Sequence, residues 1–156
     1  MKPLSPNDCY HVGLIVPDLA QAIAQMSAAG GYTWTRPVEA TLTVTTADGD
    51  VEVPFAFVYS VEAPHLELIQ EVPGTIWAAP RDGAAHHLGY WVDDLAAAAV
   101  GLEAAGYRCE ARPAGERLTS FAYYRSPAGI RVEIVDRALF PDWPGFLAMM
   151  SGAATA

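Results

Sequence analysis

His87-Leu88-Gly89-Tyr90-Trp91-Val92-Asp93-Asp94-Leu95-Ala96 decides how this chain is read. The chain has already said nearly the same thing once: His11-Val12-Gly13-Leu14-Ile15-Val16-Pro17-Asp18-Leu19-Ala20 matches it at His, Gly, Val, Asp, Leu and Ala. The two stretches lie 76 residues apart, and the offset holds without a gap to Ala28-Ala29-Gly30 and Ala104-Ala105-Gly106. The chain is therefore two copies of one structural unit, and each copy opens on a histidine.

Working outward, Tyr10 to Val16 and His87 to Val92 are short apolar runs rich in β-formers, which predict buried strands. Strand side chains alternate, so His11, Gly13 and Ile15 share one face, as do His87, Gly89 and Trp91. Asp18 and Asp94 each open a helix, and Gly30-Gly31 and Gly106 stop them. In the first unit Thr41 to Thr46 alternates as a β-branched strand, Asp48-Gly49-Asp50 signals a hairpin, and Val51 to Tyr59 returns. Pro54 removes a backbone donor and predicts an edge or bulge there. His65 to Ile69 is a further strand. The second unit repeats the plan with strands at 107–112, 118–125 and 130–135. The expected fold is α+β: two tandem βαβββ modules, 9–70 and 86–137, forming a curved mixed sheet around a metal-binding cleft. A linker spans 71–85, and 138–156 is an extension with a short docking helix and a frayed end from Ser151.

Composition excludes several function classes. A chain of 156 residues with 52% hydrophobic residues has ample material for one core. Nine Lys and Arg against eighteen Asp and Glu give a net charge of −9, and Lys2 is the only lysine. A nucleic-acid groove needs a basic stripe and an anionic membrane surface needs basic clusters, so neither partner is expected. No apolar run is long enough to span a bilayer, and the first residues lack the apolar core of a secretory signal. Cys9 and Cys109 are isolated thiols, which suits a reduced, cytoplasmic setting.

Each unit closes on an acid flanked by aliphatic residues, Leu66-Glu67-Leu68-Ile69 and Val132-Glu133-Ile134-Val135. A carboxylate in such a strand is expensive unless it is paired or metal-bound. Packed about a pseudo-twofold axis, the first and last strands of both units bring His11, Glu67, His87 and Glu133 together. Two imidazoles and two carboxylates suit one divalent ion, Ni, Co, Zn, Mn or Fe, with positions left for water or substrate. Gly13 and Gly89, two residues beyond the histidines, are expected to leave room for a ligand.

On these residues the chain resembles the vicinal oxygen chelate superfamily, the group of glyoxalase I, methylmalonyl-CoA epimerase, extradiol dioxygenases and bleomycin- and fosfomycin-resistance proteins. The resemblance covers nearly all of residues 9–137 and is nearest to the glyoxalase I-like and epimerase-like members. It implies that His11 and His87 are ligands on the first strands and Glu67 and Glu133 on the closing strands. Extradiol dioxygenases use two histidines and one glutamate, so a filled position at Glu67 tilts the reading away from oxygen chemistry.

The implied activity is metal-assisted proton transfer next to a carbonyl, in an isomerase, epimerase or lyase acting on a small, partly apolar substrate. By resemblance Glu133 is the first candidate base and Glu67 the second. Trp91, Phe57, Tyr59, Phe121, Tyr123 and Arg125 are the candidate substrate contacts, although the aromatic ones are core residues by default. A coenzyme A tail fits poorly with a single lysine, and no glutathione signature is visible. His86, adjacent to His87, is expected on the opposite face, and His65, on the same face as Glu67, is a partner of the ligands, a substrate contact or, as the favoured reading, a strand-end residue. The competing readings are an Fe(II) extradiol-type dioxygenase and a non-catalytic binding protein for a hydrophobic small molecule. A homodimer is expected, with the site closing either within one chain or across the interface.

Overall fold

The order of elements follows the repeat. In the computed structural model, which describes residues 2–152, the first unit comprises β1 (Cys9–Val16), α1 (Leu19–Gly30), β2 (Val38–Thr46), β3 (Gly49–Tyr59) and β4 (Leu66–Gln70). The second comprises β5 (His87–Val92), α2 (Leu95–Ala104), β6 (Arg108–Pro113), β7 (Phe121–Arg125) and β8 (Arg131–Asp136). A last helix, α3 (Trp143–Met150), follows. The end of the expected frayed tail, 153–156, lies outside the described residues.

The repeated aspartates set the helix starts. Asp18 Oδ1 accepts from the Gln21 amide at 2.9 Å, and Asp94 Oδ1 from the Ala97 amide at 2.9 Å. Each satisfies a donor that the first helical turn leaves open. Gly31 ends α1 in the left-handed region at φ 70°, where a side chain would be strained. Asp142 caps α3 in the same manner, accepting from Gly145 at 3.0 Å.

The curved mixed sheet closes on itself as an eight-stranded barrel in the order β1-β4-β3-β2-β6-β7-β8-β5. Within each unit the first and last strands pair in parallel, so that Gly13 faces Glu67 and Gly89 faces Glu133. The units join along two antiparallel seams. One pairs β1 with β5, placing His11 opposite Gly89 and Gly13 opposite His87. The other pairs β2 with β6 through Val44 and Pro113. Pro54 pairs with Thr41 on one side only, because β3 meets β4 only from Phe57 to Tyr59.

Strand alternation separates two kinds of core. Outward residues pack under the helices: Leu68 and Val58 meet Leu19 of α1, while Val132, Ile134, Ala122 and Tyr124 meet Leu95, Ala98, Ala99 and Leu102 of α2. The aliphatic neighbours of Glu67 and Glu133 thus serve the helix-facing side, and the glutamates point inward. The inward cluster includes Ile15, Val44, Val53, Phe55, Ile69, Ala111 and Tyr123, joined by Trp77 from the linker. No described helix is long and apolar enough to cross a membrane.

Candidate metal centre

β8, β5, β1 and β4 are four consecutive staves of the barrel, and each contributes one side chain to a common point. His11 Nε2 lies 3.2 Å from Glu67 Oε2 and 3.3 Å from Glu133 Oε2. His87 Nε2 lies 3.3 Å and 3.4 Å from the same two oxygens. The two Nε2 atoms are 2.8 Å apart. All four residues are buried, and their donor atoms lie within 4.8 Å of one another. The cluster is complete within one chain.

Their packing explains the glycines. A Cβ built on Gly13 would overlap the imidazole of His87, and one built on Gly89 would overlap that of His11. The space left by each glycine is therefore taken by the other unit's histidine ring. This corrects the expectation that the glycines make room for a ligand: the β1–β5 seam sets each histidine directly across from a glycine.

The four residues fit a divalent cation on their own evidence. Glu67 Oε2 and Glu133 Oε2 are buried and have no hydrogen-bond partner among the described residues, despite their close approach to the imidazoles. Buried oxygens without partners are costly. Two Nε2 atoms facing each other can hold only one proton between them. Donors bound to one ion at about 2.1 Å sit about 3.0 to 3.4 Å from their neighbours, close to the spacings seen. Without an ion, charge pairing takes its place. Burial works against a charged His11, but Glu67 and Glu133 outweigh it and hold the imidazole up at about 9. Burial likewise opposes a charged His87, yet the same carboxylates raise it. Burial alone would push both carboxyls up, but the two histidines hold Glu67 and Glu133 below the usual carboxylate range.

An apolar groove of about 190 Å³ leads to Glu67, walled by Phe55, Phe57, Phe121, Tyr123, Ile69, Val38, Ala40 and Leu42. Phe57, Phe121 and Tyr123, three of the expected substrate contacts, line this groove. Tyr59 and Tyr123 flank the cluster symmetrically, with ring centroids 5.6 Å from His11 and 5.1 Å from His87. Burial, then the charges of Glu67 and Glu133, push both phenols well above their ordinary range.

Three expected substrate contacts stand outside the groove: Tyr59, which flanks His11, and Trp91 and Arg125. Trp91 stacks on Tyr10 with centroids 3.5 Å apart and lies against Phe140 and Trp143. A bulge between Cys9 and His11 provides the reason: the register slips there, and Tyr10 stacks on the face of Trp91. Arg125 sits outside this groove, 3.6 Å from Glu110, which Arg131 also binds, and lines a second pocket together with His86, His87 and Arg131.

Three side chains, one of them the linker tryptophan whose presence already suggested that the linker packs on something, take places beside the cluster that the sequence did not assign them. His86 is buried beside His87 rather than on the opposite face, because it precedes the first residue of β5 and alternation does not govern it. Trp77 and Trp143 occupy equivalent places, the first against Tyr123 at 5.3 Å and the second against Tyr59 at 5.0 Å. They are 66 residues apart, the same spacing as Glu67 and Glu133, so a second offset would have revealed them. The extension is accordingly the linker's counterpart. Trp143 also meets Tyr10, Trp91 and His65. His65 itself is tied at 3.0 Å to the Ser60 carbonyl, just before β4.

Comparison with known proteins agrees with the fold. The model of the Glyoxalase/Bleomycin resistance protein/Dioxygenase superfamily matches residues 10–123. No curated protein matches the sequence. Among solved structures, the methylmalonyl-CoA epimerase of Streptomyces coelicolor, in complex with 2-nitronate-propionyl-CoA, superposes with a TM-score of 0.58 at 16% identity, covering 83% of this chain and 96% of that one. The epimerase from Mycobacterium tuberculosis gives 0.53 at 18% identity, covering 83% and 87%. A hypothetical protein from Bacillus halodurans gives 0.52 at 14% identity, covering 81% and 91%. At these identities the likeness is one of fold.

Proposed function

The chain belongs to the glyoxalase/bleomycin resistance protein/dioxygenase superfamily, and from that premise we propose that it is a metal-dependent enzyme moving a proton on the carbon next to a carbonyl, as an isomerase, epimerase or lyase. One observation carries the proposal: two buried histidines and two buried glutamates converge on one point, and one of them, Glu67, lines an apolar groove. His11, His87, Glu67 and Glu133 hold the divalent ion. When bound, it supplies Lewis-acid polarisation of a carbonyl oxygen.

The remaining work falls to the chain. Phe55, Phe57 and Phe121 exclude water and seat the apolar part of the substrate. Exclusion of water strengthens every charge interaction there. Glu67 is the carboxylate lining the groove, which supports giving it the first place as base and Glu133 the second, the reverse of the order drawn from resemblance. The base takes a proton from the carbon beside the carbonyl and returns it at the same or a neighbouring carbon.

The related epimerase was solved with a coenzyme A ester. Such a tail is not favoured here, because the groove walls carry no Lys or Arg. A compact carbonyl compound with an aromatic or aliphatic body suits them better.

The test begins with elemental analysis of protein purified without an affinity tag, beside His87→Ala. Near-stoichiometric metal lost in the variant supports the site. The metal-loaded protein is then held in D2O with a panel of aryl and alkyl ketones and 2-hydroxy ketones, and exchange is followed by NMR. Exchange that requires Glu67 supports the proposal. Oxygen uptake with catechols by the iron form would move the assignment to a dioxygenase. Binding without exchange would leave a binding protein.

A further inference from the structure

We propose that His86 is a positioning residue that fixes the tautomer and aim of His87 through a relay anchored on the linker backbone. The functional consequence rests on the metal reading above; the relay itself does not. The Ile76 carbonyl oxygen only accepts, and it lies 2.7 Å from His86 Nε2. His86 Nε2 therefore carries a proton. In a neutral imidazole the other nitrogen is then a bare acceptor. That nitrogen lies 2.9 Å from Nδ1 of His87. The proton between them belongs to His87, which leaves His87 Nε2 to present its lone pair to a cation shared with Glu67 and Glu133. The His86 ring is itself buried and packs edge-on against Tyr123 at 6.0 Å, so it has little room to turn.

The first unit lacks this device. The place equivalent to His86 is held by Tyr10, 76 residues earlier. Nδ1 of His11 has no hydrogen-bond partner among the described residues. The two imidazoles, alike in their distances to the carboxylates, differ in support: Nδ1 of His87 is tied through His86 to the main chain of the linker, and among the described residues Nδ1 of His11 has no such tie. A second partner on a ligating histidine raises its basicity and orients it, and its loss costs about 10- to 100-fold in metal affinity.

The experiment compares wild type, His86→Phe and His86→Asn, the last keeping an acceptor oxygen near the place of Nδ1. Long-range 15N–1H NMR of the metal-free proteins at alkaline pH reads the tautomer of His87. Zn2+ titration against a chelator reads affinity, and thermal unfolding of the metal-free proteins separates folding from positioning. We expect wild-type His87 to carry its proton on Nδ1. In His86→Phe, mixed tautomers and an affinity weakened about 10- to 100-fold are expected, with most of it restored in His86→Asn. Unchanged tautomer and affinity in His86→Phe would overturn the inference and leave the metal site standing. A wild-type His87 protonated on Nε2 alone would overturn it without any variant. Wild type that binds no ion would remove the metal reading, and the NMR comparison would still decide the role of His86.

Discussion

Gly13 on β1 and His87 on β5 sit directly opposite each other, and the imidazole fills the space that a side chain at Gly13 would need. Gly89 and His11 repeat the relationship from the other unit. The shape of the cluster thus depends on two absent side chains. Gly13→Ala and Gly89→Ala should each displace the facing ring, at a cost of about 1–3 kcal/mol from overpacking. Denaturant unfolding will read the cost. Metal content should fall in parallel, and a variant that keeps full metal occupancy would contradict this account.

Glu67 and Glu133 are both inward, but only Glu67 lines the apolar groove. Glu67→Gln should lower proton exchange by about 10²- to 10⁴-fold, the usual worth of a positioned base. Glu133→Gln should act mainly through weaker metal binding, so that excess Zn2+ or Ni2+ restores much of its rate. Equal, metal-reversible losses in both variants would mean that neither carboxylate is the base.

Trp77 is fully buried against Phe55 and Tyr123, while Trp143 is half-buried over Tyr59 and Tyr10. Trp77→Ala should cost about 3–5 kcal/mol, as large aromatic truncations in a core do. Trp143→Ala should cost less, because part of its surface already meets solvent. Reversed sizes in chemical denaturation would show that the C-terminal segment, not the linker, closes the more demanding end.

Stability without metal should depend on pH in a definite direction. Burial opposes the charge on His11, but the glutamates lift it from 6.5 to about 9. A group raised by folding stabilises the fold where it is protonated in both states, so its contribution is complete below pH 6.5 and is lost as pH climbs to about 9. Glu67 and Glu133, depressed from 4.5, contribute fully above that value and lose their contribution as acid protonates them. Metal-free protein should therefore unfold at its highest temperature between pH 4.5 and 6.5 and at lower temperatures towards pH 9. Added Zn2+ should reverse the alkaline trend, because metal binding needs a deprotonated imidazole. Calorimetry with and without chelator across this range will show whether the two curves diverge.

Much of this arrangement was legible because strand alternation and exact repetition are both visible in sequence. The offset between His11 and His87 placed the first strands, and the aliphatic flanks of Glu67 and Glu133 betrayed acids turned away from the helices. Alternation failed where the backbone departs from a regular strand. His86 stands one residue before β5, and the bulge at Tyr10 set an aromatic partner on Trp91. The pairing of Arg125, a candidate substrate contact, with Glu110 was hidden because Glu110 lies on a neighbouring strand that only the fold brings near. The glycines were seen, but their purpose depends on the seam between units, which no local pattern records.

The crossed fit of histidine over glycine also bears on how such a chain can change by descent. Each half carries the hollow that the other half's ring requires, so a mutation filling one hollow damages the opposite half rather than its own. Neither half can drift independently at these positions, and neither can be lost while the other keeps its role. A duplicated ancestor that acquired this reciprocity would thereafter be inherited as an indivisible pair.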